Sequence, residues 1–138
     1  MEVTLSGHGA YRLSYYVIWV TKYRRKILNP VIIECFRSLM PKFARSMSGV
    51  IVEQMDFYRD HVHFLMVVPP QYAVADIIGE LKSRSASIFR EKFDFLKKVY
   101  WRENVVWSPR YFVSSLGIDK AIIKHYVEWQ DRQDSDQL

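Results

Sequence analysis

Hydrophobic positions recur with two different periods along the chain. Four extended apolar runs, at residues 12–20, 50–58, 61–68 and 111–116, predict strands. Residues 30–43 and 73–92 instead repeat apolar side chains at spacings of three and four, which predicts two amphipathic helices. Pro30 suits a first helical turn, whereas Pro41 is expected to bend the first helix or end it early. A last helix is predicted after Gly117, with Asp119 as its N-cap.

The order of these elements is strand, helix, two strands, helix, strand, helix. Only Arg59 and Asp60 separate the second strand from the third, which indicates an antiparallel hairpin. The order predicts an α+β fold in which helices pack on a mainly antiparallel sheet. With 138 residues and 49% apolar composition, the chain suits one domain over residues 1–130. A polar tail at 131–138 is expected to be flexible.

The charge balance favours an anionic partner. Lys and Arg number 20 against 15 Asp and Glu, which makes nucleic acid a better candidate than a membrane. The longest apolar run, 15–20, is too short to cross a bilayer, and the N-terminus lacks the pattern of a secretory signal. We therefore expect a cytoplasmic protein.

Two histidines in the third predicted strand are the first candidates for chemistry. Side chains alternate along a strand, so His61 and His63 point to one face while Val62 and Phe64 point to the other. Two imidazoles at this spacing can chelate one metal ion. The alternative is that they are two incidental strand histidines.

Tyr126 and Gln130 are the second pair of candidates. Four residues apart in the last predicted helix, they lie on one face, about one turn from each other. A phenol and an amide oxygen could therefore reach one site together. Taken alone, Tyr126 also suits a core aromatic residue, and Gln130 a solvated position.

Several basic residues could contact phosphate groups, and neighbouring aromatic residues offer planes on which unpaired bases could stack. The alternative is ordinary solvated charge. The candidates for DNA contact are Lys22, Arg24, Arg25, Lys82, Arg84 and Arg110.

Four segments of the chain, in order and spacing, resemble the single-tyrosine HUH transposases of small bacterial and archaeal insertion sequences. They are DHVHFL at 60–65 running into VVPP at 67–70, LKSRS at 81–85, WSPRYFVSSLG at 107–117 and YVEWQ at 126–130. The resemblance covers nearly the whole chain. One departure is Arg110, where the family often has glycine.

The resemblance implies a ferredoxin-like or RRM-like HUH fold whose C-terminal helix carries the nucleophile, Tyr126. It implies that His61 and His63 bind a divalent metal, with Gln130 completing the ligands, and that the metal is Mg²⁺, with Mn²⁺ as the alternative. It also implies single-stranded DNA as substrate, with hairpins at the element's ends. A homodimer is implied, in which the tyrosine helix of one subunit can serve the metal site of the other.

Three other functions remain open from the residues. A relaxase-like HUH endonuclease shares the chemistry, but this chain has no room for the usual accessory domains. A non-catalytic nucleic-acid-binding α+β module would need only the basic and aromatic residues. A metal phosphohydrolase that uses water would keep its turnover in Tyr126→Phe.

Overall fold

A computed structural model describes residues 4–6, 9–11, 13–101, 103–115 and 120–136. A short hairpin, β1 (Thr4–Ser6) and β2 (Gly9–Tyr11), precedes the main sheet. The sheet strands are β3 (Ser14–Val20), β4 (Ile51–Phe57), β5 (His61–Val67) and β6 (Phe112–Ser114). The helices are α1 (Pro30–Arg45), α2 (Val74–Lys92), α3 (Phe95–Val99) and α4 (Lys120–Asp136), and a 3-10 turn spans Lys22–Arg24.

The four main strands form an antiparallel sheet in the order β4-β5-β3-β6. Together with α1 and α2, they give the β-α-β-β-α-β order of a ferredoxin-like fold, to which α4 is added. The predicted α+β class and the antiparallel hairpin are therefore confirmed. The β1–β2 hairpin and the short helix α3 were not predicted.

One face of the sheet carries the main core. Val17 and Trp19 of β3 and Val62 and Phe64 of β5 are fully buried there against α1 and α2. Phe36 of α1 lies at its centre and contacts five aromatic rings, those of Trp19, Phe57, Phe64, Phe89 and Trp107. The alternation predicted for the third strand follows from this packing.

The start of α1 follows its sequence signals, but its end does not. The side chain of Asn29 caps the helix by accepting a hydrogen bond from the N–H of Ile32 at 2.9 Å, and Pro30 occupies the first turn. Pro41 does not end α1, which continues to Arg45. The chain then turns at Gly49, whose φ of 84° suits glycine, before β4.

The opposite face of the sheet is covered by α4. Ile18 and Val20 of β3 form a second, smaller core there with Tyr126 and Val127 of α4. The helix runs through Asp136, and Asp134 is fully buried, so residues 131–136 belong to α4. The expected flexibility of the 131–138 tail stays a prediction. The predicted N-cap Asp119 lies outside the described residues. None of the described helices has the length and apolar character needed to span a membrane.

Candidate active site

The two histidines of β5 lie on the sheet face that α4 covers. In the strand register, His61 pairs with Val20 and His63 pairs with Ile18, and both partners pack against α4. Each histidine side chain is 14% exposed. The two imidazoles are therefore on one face, as predicted, and are largely shielded from solvent.

His61 is held in one orientation by its neighbours. Its ring stacks on Tyr58 with centroids 4.4 Å apart, and its Nδ1 lies 2.7 Å from Asp60 Oδ1. Burial opposes ionisation of Asp60, but hydrogen bonds from His61 and Arg24 outweigh it and lower the pKa of the carboxyl group. The ionised carboxylate can only accept, so Nδ1 donates to it, and it is Nε2 that carries the lone pair in the neutral imidazole.

His63 has a buried ring nitrogen without a partner. Its Nε2 is inaccessible to solvent and accepts or donates no hydrogen bond, while Nδ1 lies 3.8 Å from Asp56 Oδ2. Burial lowers the pKa of His63, the nearby Asp56 partly offsets this, and His61 lowers it further. The ring is therefore neutral at neutral pH and can offer Nε2 as a ligand.

Tyr126 is buried at 6% exposure, and its hydroxyl group also has no hydrogen-bond partner. Its ring packs against Phe112 and Trp129, with centroids 5.7 and 6.0 Å away. Burial and, to a lesser extent, Asp134 raise the pKa of Tyr126, while Arg110 lowers it. The phenol is therefore protonated in the resting protein.

Gln130 is not the solvated residue that the sequence allowed. Its side chain is 1% exposed, and its Nε2 donates to Asp134 Oδ1 at 3.1 Å. Its Oε1 is buried and accepts no hydrogen bond. The amide is thus oriented with its oxygen free.

Unpartnered polar atoms recur among the candidate site residues. Among the described residues, five buried side-chain nitrogen or oxygen atoms lack a partner, and three of them are His63 Nε2, Tyr126 Oη and Gln130 Oε1. Such atoms are costly unless a ligand satisfies them. An imidazole nitrogen and an amide oxygen are suitable ligands for a divalent cation, so the residues present fit a metal. In the part of the chain that the structure describes, no group of three or more His, Cys, Asp or Glu residues could hold a metal ion, and the surroundings of His61 and His63 are no exception.

The six basic candidates fall into two groups. Lys22 is buried and lies 3.6 Å from Asp134 Oδ1, and Lys82 donates to the carbonyl oxygens of Ser108 and Arg110 at 2.6 and 3.0 Å. Both ammonium groups are thus engaged inside the protein. Four arginines keep more exposed side chains, namely Arg24, Arg25, Arg84 and Arg110.

Sequence reasoning missed two lysines near His61. Arg24, Lys120 and Lys124 line a cleft of about 270 Å³ that His61 and Tyr58 also border. The sequence could have indicated this basic surface, because Lys120 and Lys124 are four residues apart and so share one face of the last predicted helix. On the other side of α4, an apolar cleft of about 630 Å³ includes Tyr126.

The chain is similar in sequence to known transposases. The family model described as "Transposase IS200 like" matches residues 9–130. The ISDra2 transposase TnpA of Deinococcus radiodurans is 32% identical over 126 residues, which cover 90% of this chain and 89% of that protein. The transposase for insertion sequence element IS200 of Salmonella typhimurium is 28% identical over 128 residues, covering 93% and 83%.

Solved structures show the same fold. A Deinococcus radiodurans R1 protein assigned as a transposase superposes with a TM-score of 0.78 at 29% identity, covering 94% of this chain and 98% of its own. A REP-associated tyrosine transposase bound to a REP hairpin gives a TM-score of 0.56 at 16% identity, covering 91% and 70%. The resemblance found in the four sequence segments is therefore confirmed.

Proposed function

Since the chain belongs to the IS200-like transposase family, we propose that it cleaves and rejoins single-stranded DNA at insertion-sequence ends with Tyr126 as nucleophile. One observation carries this proposal. The Tyr126 hydroxyl is buried without a partner on the sheet face that also carries His61 and His63. Burying a hydroxyl group without a hydrogen-bond partner lowers the stability of the fold. Such a hydroxyl is therefore better explained by a role in the reaction than by a role in packing.

His61, His63 and Gln130 would hold a divalent cation, through two imidazole nitrogens and one amide oxygen. When bound, the cation neutralises charge that gathers on the phosphate and lowers the cost of ionising the phenol. Imidazole suits Mn²⁺ as readily as Mg²⁺, and we propose Mg²⁺ as the physiological ion.

Tyr126 supplies the oxygen that attacks phosphorus. Because its pKa is raised, the phenol loses its proton only as the new bond forms. The Tyr126 oxygen–phosphorus bond forms, the bond from phosphorus to the 3′ oxygen breaks, and that oxygen takes up a proton. The products are a 5′ phosphotyrosine and a free 3′ hydroxyl. Attack by another strand's 3′ hydroxyl on the phosphotyrosine reverses the step and joins DNA without ATP.

The cleft beside His61 suits a DNA backbone. Lys120 and Lys124 bring positive charge to this cleft, which Arg24, paired with Asp60, also borders. Unpaired DNA can bend its scissile phosphate into such a site without first opening a duplex. We propose hairpins near the element's ends as the recognition features, as a hairpin is bound to the structurally similar REP-associated transposase. We also propose a homodimer.

The test is a covalent adduct assay. Wild type and Tyr126→Phe are incubated with labelled single-stranded DNA from the element's ends, with Mg²⁺ or with EDTA, and separated under denaturing conditions. We expect a Mg²⁺-dependent protein–DNA adduct in wild type and none in Tyr126→Phe, which still binds DNA. His125→Phe is the control, because His125 is exposed on the same helix.

Other outcomes identify the alternatives. Cleavage without an adduct in either protein would indicate a phosphohydrolase that uses water. DNA binding with neither cleavage nor adduct would indicate a nucleic-acid-binding module. An adduct on a relaxase origin, with none on the element's ends, would indicate a relaxase-like endonuclease.

A further inference from the structure

Asp134 is a buried carboxylate that the proposed reaction does not use. It is fully shielded from solvent on α4, one turn beyond Gln130 and two turns beyond Tyr126. Its Oδ2 accepts hydrogen bonds from the backbone N–H of Tyr23, at 2.9 Å, and from the Ser108 hydroxyl. Its Oδ1 accepts from Gln130 Nε2 at 3.1 Å and faces Lys22 Nζ at 3.6 Å. Each of these four groups is a donor, so the Asp134 carboxylate serves all of them as an acceptor.

This acceptor decides which end of the Gln130 amide faces the site. The two ends of an amide have the same shape but opposite hydrogen-bonding character, so packing alone does not distinguish them. Asp134 can bind only the NH₂ end. The oxygen is consequently left pointing away from Asp134, unpartnered and able to bind a cation.

The same carboxylate ties α4 to two segments that the sequence singled out. Ser108 of the WSPRYF segment donates to Asp134, and Lys82 of the LKSRS segment donates to the Ser108 carbonyl oxygen at 2.6 Å. Tyr23, whose φ of 56° is unfavourable for a non-glycine residue, donates from the basic turn. The network thus connects α2, the 107–111 segment and the turn to Gln130.

We propose that Asp134 is a positioning residue: its carboxylate holds the Gln130 amide with Oε1 towards the metal site. This inference rests on the proposed function, because it assumes that Gln130 is a metal ligand. Asp134 itself does not touch metal or DNA in this proposal. It acts by holding a metal ligand through a hydrogen bond. Loss of such a contact typically weakens metal binding by about 10- to 100-fold.

The nearly isosteric substitution Asp134→Asn tests the orientation. The N–H of Tyr23 can only donate, so the asparagine oxygen must take that side, with Ser108. Its NH₂ group then faces Gln130, whose amide rotates to accept from it. The Gln130 NH₂ end then takes the place of the free oxygen, where it repels a cation instead of binding one.

A second substitution is expected to reverse the defect. In Asp134→Asn/Gln130→Glu, one glutamate oxygen accepts from the asparagine NH₂, and the other oxygen faces the site. The two oxygens of a carboxylate are equivalent, so an oxygen faces the proposed metal site in either orientation of the side chain. The double variant therefore regains an oxygen ligand. Because a carboxylate attracts a cation more strongly than an amide does, the comparison is with Gln130→Glu alone, where two carboxylates face each other. An orienting role for Asp134 predicts that Asp134→Asn weakens Mn²⁺ binding in the wild-type background and improves it in the Gln130→Glu background.

The measurement is Mn²⁺ affinity of DNA-free protein by titration calorimetry, with thermal unfolding in EDTA as the check on folding. We expect Asp134→Asn to raise the Mn²⁺ Kd by about 10- to 100-fold, and the double variant to return it to within about threefold of wild type. Asp131→Asn, the same change on a partly exposed position of α4, should leave it unchanged.

Two results would overturn the inference in different ways. If wild type binds Mn²⁺ and Asp134→Asn binds it equally well, or if the double variant gives no rescue, Asp134 does not orient Gln130. If wild type binds no Mn²⁺ at all, the proposed metal site fails and the inference fails with it.

Discussion

Tyr126 and Tyr100 offer a paired test of the idea that the proposed nucleophile is kept free at a cost to stability. Both side chains are buried, at 6% and 1% exposure. The Tyr100 hydroxyl donates to the Lys22 carbonyl oxygen at 3.0 Å, whereas the Tyr126 hydroxyl has no partner. Replacing each with phenylalanine removes one oxygen atom and leaves the ring, so only the hydrogen-bonding state differs.

The two substitutions should change stability in opposite directions. A buried hydroxyl without a hydrogen bond costs about 1–3 kcal/mol, so Tyr126→Phe should raise the free energy of unfolding by about 1 kcal/mol at the lower end of that range. Tyr100→Phe removes a made hydrogen bond and should lower it by about 1 kcal/mol. For a chain of 138 residues, 1 kcal/mol corresponds to a change in Tm of about 3 °C.

Thermal and urea unfolding in EDTA measure both variants without bound metal. The expected result is a Tm about 3 °C above wild type for Tyr126→Phe and about 3 °C below it for Tyr100→Phe. If both variants lose stability equally, the Tyr126 hydroxyl does have a partner in solution. The Tyr126 hydroxyl would then not be kept free at a cost to stability, whatever the variant's catalytic activity.

Three further predictions follow from single contacts. Ser85→Ala removes the acceptor of the buried Trp107 indole N–H, at 2.9 Å, and should cost about 1–3 kcal/mol in urea unfolding; an unchanged midpoint would contradict this. Because the pKa of His63 is lowered, the unfolded chain takes up its proton first as pH falls below about 6.5. Metal-free wild type should therefore lose stability between pH 7 and 5.5 more steeply than His63→Gln; parallel losses would refute the shift. Because the Tyr126 cleft and the His61 cleft lie on opposite sides of α4, we expect the tyrosine of one subunit to serve the histidines of the other, so mixing His63→Ala with Tyr126→Phe should restore an adduct; no adduct would show that each helix serves its own subunit.

Local patterns were sufficient to predict most of the secondary structure. The alternation around His61 and His63, and the three-and-four spacing in residues 73–92, depend only on neighbouring residues, so strand β5 and helix α2 agree with prediction within one residue at each end. The short helix α3 lacks clean periodicity and was missed for that reason. The expectation that Pro41 ends α1 early was wrong, since burial of Phe36, Met40 and Phe43 in the core keeps α1 helical past it. The alternative, a bend at Pro41, stays a prediction.

By itself, the sequence determined the fold class, the face shared by the two histidines and the shared helix face of Tyr126 and Gln130. Only the tertiary structure decided that Gln130 and Asp134 are buried, that the Gln130 oxygen is the free end, and that Lys22 and Lys82 are engaged inside the protein. The reason is that periodicity is a property of neighbours along the chain. Burial and hydrogen bonding of a polar group instead depend on contacts such as that of Asp134 with Tyr23, 111 residues away.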